Sequence, residues 1–391
     1  MEHPLPCKSV ITPTSHSPNS NTPRDMSGPL HGIRVAEYPS AACPLSLRLA
    51  MSFAGRIAAG LGASVVKLGS RDDDPVQAVG PRIGSSSALS IFLDQGKAYQ
   101  AVGPDRNAVS ALMALGAAPD IVLCDAQALI QLQSLAQTCI RTVLSMFPVT
   151  SDANACAATE FTVMALSGLL DLVGDPDREP LRMGGHQLAY ACGLAAYSGS
   201  VAALCARQPG SAAEVVRVTL ADVAVWLNWK VVAMASWSAA GRARLGRDAE
   251  WQVVRCADGW IALVFLEADW PVLRDFVNDP RLSEVRFNDR AERRRDARTV
   301  ASIVEGVFLR YTRQELKALA LAKRLPLGPV WSPIELEDDP QNRARSFFSR
   351  QPNAPQAPLL MPRLPVLWNG QTFPAASAGA PASSPAPEPR A

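Results

Sequence analysis

The chain has 391 residues, 48% of them hydrophobic, 19% charged and 6% aromatic, with 38 Lys+Arg against 36 Asp+Glu for a net charge of +2. That length holds roughly two domains with sizeable cores, while a near-neutral balance and sparse aromatics give no footprint for nucleic acid. The best apolar candidate for a membrane span, residues 220–239, is interrupted by Asp222, Asn228 and Lys230, so a soluble protein without a membrane partner is expected.

Residues 1–28 are rich in Pro, Ser, Thr and Asn and lack apolar periodicity, which predicts a disordered tail without the apolar run of a secretory signal. Met26 stands just before the first patterned sequence and is expected to be the true start. Strands are predicted over 33–38, 64–68, 99–102, 120–125 and 142–146, with helices over 45–61 and near 106–117. This alternation implies a parallel sheet wrapped on both faces, with ligands at the carboxyl ends of its strands. Residues 160–206 read as helical and apolar around a loop at 174–180, and a helix follows over 221–240.

The texture then changes. Segments 251–255 and 260–265 flank a Cys256-Ala257-Asp258-Gly259 turn, which predicts a hairpin. A charged helix over 289–311 comes next, and a Thr312-x-x-Glu315 capping box opens another over 313–323. The expected architecture is α/β, a Rossmann-like large domain (29–244) with a parallel sheet plus a smaller α+β domain (245–330). A C-terminal segment (331–373) returns to the large domain, and an Ala/Pro tail (374–391) is disordered.

Several chemistries are absent from the sequence. Gly96-Lys97 lacks the upstream glycine of a P-loop, and Gly60-x-Gly62 ends a helix instead of opening one. Of four histidines, three lie in or beside the N-terminal tail and His186 alone sits in the body, so a metal site is not expected and no G-x-S-x-G elbow offers a triad. Eight cysteines without a C-x-x-C pair read as reduced, mostly buried thiols of a cytoplasmic protein. Asp72-Asp73-Asp74 reads as a solvated loop, and Arg293-Arg294-Arg295 as an exposed helix face.

A set of ordered motifs says more. Pro29-Leu30-His31-Gly32-Ile33-Arg34-Val35 resembles the opening P-L-x-G-[IV]-[RK]-V of the family III CoA-transferases, the CaiB/BaiF family that includes formyl-CoA transferases and alpha-methylacyl-CoA racemases. Phe53-Ala54-Gly55, Gly60-Leu61-Gly62-Ala63 and Val66-Lys67 are similar to its F-A-G-x-x-L-A-D-L-G-A-x-V-I-K. Phe92-Leu93-Asp94-Gln95-Gly96-Lys97 resembles F-L-N-x-x-K-R-S. Ala165-Leu166-Ser167-Gly168, Gly174-Asp175-Pro176-Asp177 and Pro180-Leu181-Arg182-Met183-Gly184 follow A-M-S-G…G-x-P-D-x-x-P-x-R-x-G. Ala257-Asp258-Gly259-Trp260 and Leu327-Gly328-Pro329-Val330 match the second domain.

The resemblance covers nearly all of residues 29–350. It implies ring-shaped protomers interlocked as a homodimer, with coenzyme A moved between carboxylic acids as acyl-CoA thioesters. It also implies an aspartate nucleophile that forms a mixed anhydride and then an enzyme-bound thioester. Arg182 and Gly193 keep the family's spacing, and the position for that aspartate holds Ala189. The E-N-F segment is replaced by Cys124-Asp125-Ala126, a basic position by Gln133, and residues 38–49 carry extra length. Lys67, Arg71, Lys97 and Arg182 remain as candidate contacts to the phosphates of coenzyme A. Glu160 and His186 are the candidate catalytic residues. Three functions follow: CoA transfer, acyl-CoA isomerisation or racemisation by Glu160 and His186, or a non-catalytic acyl-CoA-binding subunit paired with an active paralogue.

Overall fold

The computed structural model describes residues 28–102, 108–113, 118–132, 139–148, 158–208, 210, 212, 214–237, 244–351, 359–371 and 373. The first unit runs β1 (Arg34–Tyr38), α1 (Leu45–Gly60), β2 (Ser64–Leu68), a small hairpin of β3 (Arg82–Ile83) and β4 (Ser86–Ser87), α2 (Ala88–Leu93), β5 (Lys97–Gln100), α3 (Ala108–Met113), β6 (Ile121–Asp125) and α4 (Ala126–Gln131). It continues through β7 (Ile140–Ser145), α5 (Glu160–Leu166), α6 (Gln187–Ala206), β8 (Val215–Thr219), α7 (Leu220–Leu227) and α8 (Trp229–Trp237). Six strands pair in parallel in the order β5-β2-β1-β6-β7-β8. The expected wrapped sheet is therefore present. Chain order reverses between β1 and β6, which opens a crevice at their carboxyl ends.

Ser40, just past β1, closes on Asp125 at the end of β6: its N–H and Oγ–H donate to the two carboxylate oxygens at 2.7 and 2.8 Å. Arg48 donates to the carbonyls of Ser40 and Cys43, fastening the long loop between β1 and α1. Asp125 at the end of β6 thus anchors the loop that leads into α1.

Helix α6 corrects the reading of residues 220–239 as the best apolar candidate for a span. It has 20 residues and no Asp, Glu, Lys or Arg, enough by length and composition to cross a membrane. Its buried face, Leu188, Ala189, Cys192, Gly193, Ala196, Ser200 and Ala203, follows helical spacing and packs into the large-domain core instead. A Cβ at Gly193 would overlap the Ala50 carbonyl of α1, so this glycine sets how closely the two helices approach.

Other boundaries move for local reasons. The helix expected over 221–240 breaks at Asn228, whose carbonyl accepts the N–H groups of Val231 and Val232 and starts α8. Strand β8 had no counterpart in the sequence reading, although Val-Val-Arg-Val-Thr is a β-branched run. Strand β5 begins at Lys97, two residues ahead of expectation. The N-terminal tail with Met26, Gln133, the C-terminal tail and most of the loop ends of the 106–117 segment lie outside the described residues.

The second unit comprises β9 (Gln252–Cys256), β10 (Gly259–Leu263), α9 (Trp270–Val277), α10 (Arg290–Arg295), α11 (Ala297–Phe308), α12 (Arg313–Lys323) and β11 (Gly328–Pro329), with the antiparallel order β11-β10-β9. Its core gathers Ile261, Leu273, Phe287, Val304, Phe308 and Leu316. The single charged helix expected over 289–311 is two helices that meet at Asp296, and Arg293 is not on an exposed face. It is 1% exposed, donates to the Phe287 carbonyl at 2.7 Å, stacks over Trp270 and pairs with Glu267. The chain then passes α13 (Pro340–Ala344) and the pair β12 (Phe348–Gln351) and β13 (Leu359–Pro362) before Leu364 fills the space beside Gly60 at the end of α1. Leu364 therefore lies against the first unit.

Candidate active site

The start of α6 brings together most of the residues in question. Gly185 takes a left-handed turn (φ 73°) and His186 becomes the N-cap residue without a side-chain cap of its own. A helix start leaves N–H groups without acceptors, and Glu160, the first residue of α5, supplies one from outside. Its Oε1 accepts the Ala189 N–H at 3.1 Å. Its Oε2 lies 3.1 Å from His186 Nδ1. The partial positive charge of a 20-residue helix favours a carboxylate there. Among the described residues no acceptor faces the N–H groups of Gln187 and Leu188 in the same turn.

Glu160 is 7% exposed, while the His186 side chain keeps 23% of its surface. The carboxylate is thus recessed behind a ring that reaches solvent. Tyr190 lies beside them, its ring 4.9 Å from Phe53 and edge-on to His186 at 6.5 Å. Burial raises the Tyr190 hydroxyl pKa, and the nearby charge of Glu160 adds to it. Arg182 is exposed and stacks over Phe161, the residue after Glu160, at 5.8 Å. Glu160, His186 and Arg182 therefore belong to one corner.

Ala189 is 0% exposed and packs with Leu49, Val76 and Leu93, against Phe53 and Tyr190. Its methyl group sits in an apolar floor. No sequence pattern pointed to Val76 or Leu49 as part of that floor, because the contact joins segments more than a hundred residues apart.

Lys67 and Lys97 are placed differently from their expected role. Both are buried. Lys67 Nζ lies 2.5 Å from Asp74 and 3.2 Å from Asp94, and Lys97 Nζ lies 2.5 Å from Glu37. Lys97 also donates to the Ser52 carbonyl at 2.6 Å. Their ammonium groups answer carboxylates inside the sheet layer and are not presented to a phosphate. The physical reason is geometric: both side chains point from β2 and β5 toward α1, where Gly55 leaves room for Glu37. Asp74 is likewise buried, correcting its reading as part of a solvated turn. Arg71 is exposed on the loop after β2 and has no side-chain partner among the described residues.

The charges of this cluster respond to one another. Burial lowers the Lys97 pKa and the like charge of Lys67 adds to this, while Glu37 and Asp94 only partly oppose it. Burial pulls Lys67 the same way, yet Asp94, Glu37 and Asp74 prevail and its pKa rises. Asp94 is held below its ordinary value, the cost of burial being outweighed by Lys67, Lys97 and hydrogen bonds from Ser90 and Tyr99. Five of the six described cysteines are buried, Cys205 being exposed; burial lifts Cys192 to about 12. Among the described residues no three metal-ligating side chains cluster.

Comparison with known proteins identifies the family and the fold. The family model for CoA-transferase family III matches residues 30–384. The chain is 24% identical to the acetyl-CoA:oxalate CoA-transferase of Acetobacter aceti over 382 residues, covering 92% of this chain and 94% of that one. Its fold is similar to a CAIB/BAIF family protein from Brucella suis, with a TM-score of 0.77 at 20% identity over 90% of this chain and 95% of that one. It is also similar to Rv3272 from Mycobacterium tuberculosis, with a TM-score of 0.72 at 18% identity over 90% and 96%. With the motifs, the sheet order and a family match spanning nearly the whole chain in hand, the protein belongs to CoA-transferase family III.

Proposed function

We propose that this protein moves coenzyme A between carboxylic acids as acyl-CoA thioesters, and that Glu160 stands in for the carboxylate missing at position 189. The observation that carries this is the reach of Glu160 into the first turn of α6, where Oε1 meets the Ala189 N–H at 3.1 Å. In this scheme Glu160 attacks the acyl-CoA carbonyl and expels the CoA thiolate, leaving a mixed anhydride. The thiolate then attacks the glutamyl carbonyl, releasing the first acid and forming a glutamyl-CoA thioester. The second acid's carboxylate repeats the two displacements in reverse order, which returns Glu160 as a carboxylate. The N–H groups of Gln187 and Leu188 supply donors for the developing oxyanions. Arg71 and Arg182 are the phosphate contacts. The substrate class is acyl-CoA plus a carboxylic acid, in line with the exchange named for the Acetobacter aceti relative.

A second reading draws on the His186 contact. Glu160 would orient His186 through Nδ1 and leave Nε2 as a base for the carbon next to the thioester, the chemistry of an isomerase or racemase. The two separate cleanly. Wild-type protein is mixed with acyl-CoA, trapped with borohydride or hydroxylamine, and mapped by mass spectrometry. Transfer predicts an adduct on Glu160, absent in Glu160→Gln, whose exchange rate falls at least about a hundredfold. Solvent deuterium entering beside the thioester without an adduct identifies proton transfer. Tight binding with neither outcome identifies an acyl-CoA-binding subunit.

We further propose that the protein works as a homodimer. Helix α8 has no buried residue. Trp226, Trp229 and Trp237 on α7 and α8 are 73%, 64% and 93% exposed. An apolar face of this kind calls for a partner, and light scattering should return twice the 41.7 kDa chain mass.

A further inference from the structure

We propose that the buried Lys67–Asp74 ion pair is a positioning device for phosphate recognition: it fixes the loop at residues 69–74 so that Arg71 meets the phosphate-bearing half of coenzyme A. This rests on the acyl-CoA reading above and adds to it two residues that do not themselves touch substrate.

The loop is tied at both ends and open in the middle. At its start Gly69, in a left-handed conformation (φ 125°), donates its N–H to the Gln100 carbonyl of β5 at 2.9 Å. At its end Asp74 makes three connections. Its N–H donates to the Arg71 carbonyl at 3.3 Å, Oδ1 accepts the Val76 N–H at 3.1 Å, and Oδ2 lies 2.5 Å from Lys67 Nζ. Lys67 is itself held by Ser52 Oγ at 3.0 Å and by Asp94 at 3.2 Å. Between these ties Arg71, Asp72 and Asp73 are exposed.

Net charge does not explain anion binding here, because Asp72 and Asp73 outnumber the one arginine. Placement decides. A guanidinium set by its backbone needs little further ordering when a phosphate arrives, which removes part of the entropic cost of binding. The same turn carries Val76, fully buried against Ala189 and Leu49. The phosphate contact and the start of α6 are thus held at one spacing.

The test compares acyl-CoA with the matching acyl-pantetheine, which lacks the phosphates. Asp74→Asn keeps the cap on Val76 and weakens the ion pair. The expected result is about a tenfold rise in Kd for acyl-CoA with acyl-pantetheine unchanged. Arg71→Ala should give a similar selective loss, and the double variant should lose no more than Arg71→Ala alone. Equal weakening of both ligands, or additive losses in the double variant, overturns the proposal. If wild-type protein binds both ligands equally, the phosphates are not recognised and the proposal fails; if it binds neither, the acyl-CoA reading itself fails, a distinct result. Thermal unfolding of Asp74→Asn confirms that the folded protein was assayed.

Discussion

Two groups of charges adjoin the segments that form the Ala189 floor, and they are built on opposite plans. Around Lys67 and Lys97, ammonium groups and the carboxylates of Glu37, Asp74 and Asp94 are all buried and answer one another. At the start of α6, one recessed carboxylate is answered by a backbone N–H and by a ring that reaches solvent. The first arrangement holds strands to helix. The second leaves a charge with one partner, the His186 ring, that reaches solvent. Counting acidic and basic residues would rank the lysine cluster as the richer site; asking what each charge faces reverses that order.

Breaking the lysine cluster should have the largest effect on stability. Lys97→Met leaves the Glu37 carboxylate buried without its ammonium, and a loss of about 3–5 kcal/mol in urea unfolding is expected. Arg71→Ala on the exposed loop should move the same measurement by no more than about 0.5 kcal/mol. Comparable values for the two would erase the contrast.

Placing a carboxylate at the floor sharpens it further. Ala189→Asp puts a charge among Leu49, Val76 and Leu93 and beside Glu160, and should cost about 1–3 kcal/mol. Part of that loss should return in the Ala189→Asp/Glu160→Gln double variant, since one of two like charges is gone. No recovery would mean that crowding alone, and not charge, closes the position.

The smallest effect is a pH dependence. The Asp94 pKa is lowered in the folded protein, so the stability it contributes is fully present above the ordinary carboxylate value near 3.8 and is lost as pH falls through the lowered one. Asp94→Asn should flatten the decline of stability below about pH 4. An unchanged acid limb would place that sensitivity elsewhere.

Much of the fold was legible because it depends on short-range signals. The β-branched runs at 64–68 and 120–125 and the Thr312–Glu315 capping box report their own conformations, and the structure repeats them. The spacing between Arg182 and Gly193 drew attention to Ala189, and the structure places that residue fully buried at the start of α6. The burial of Lys67 and Lys97 was not. A lysine on a strand reads the same whether it faces solvent or a carboxylate brought from a distant segment, and Glu37 lies 60 residues before Lys97. Nor could the sequence tell Asp74 from Asp72 and Asp73. Three identical neighbours divide into one inward and two outward residues only when Lys67 is there to choose.

The contact of Leu364 with Gly60 bears on how this polypeptide is made. On the ribosome the large unit is translated early, yet the far end of α1 stays uncovered until more than three hundred further residues have emerged. Domains ordinarily mature as they leave the tunnel; here the covering of α1 waits for a segment translated after the second unit. Nascent chains stalled near residue 250 should therefore be digested by protease around α1, and release of the finished polypeptide should protect it.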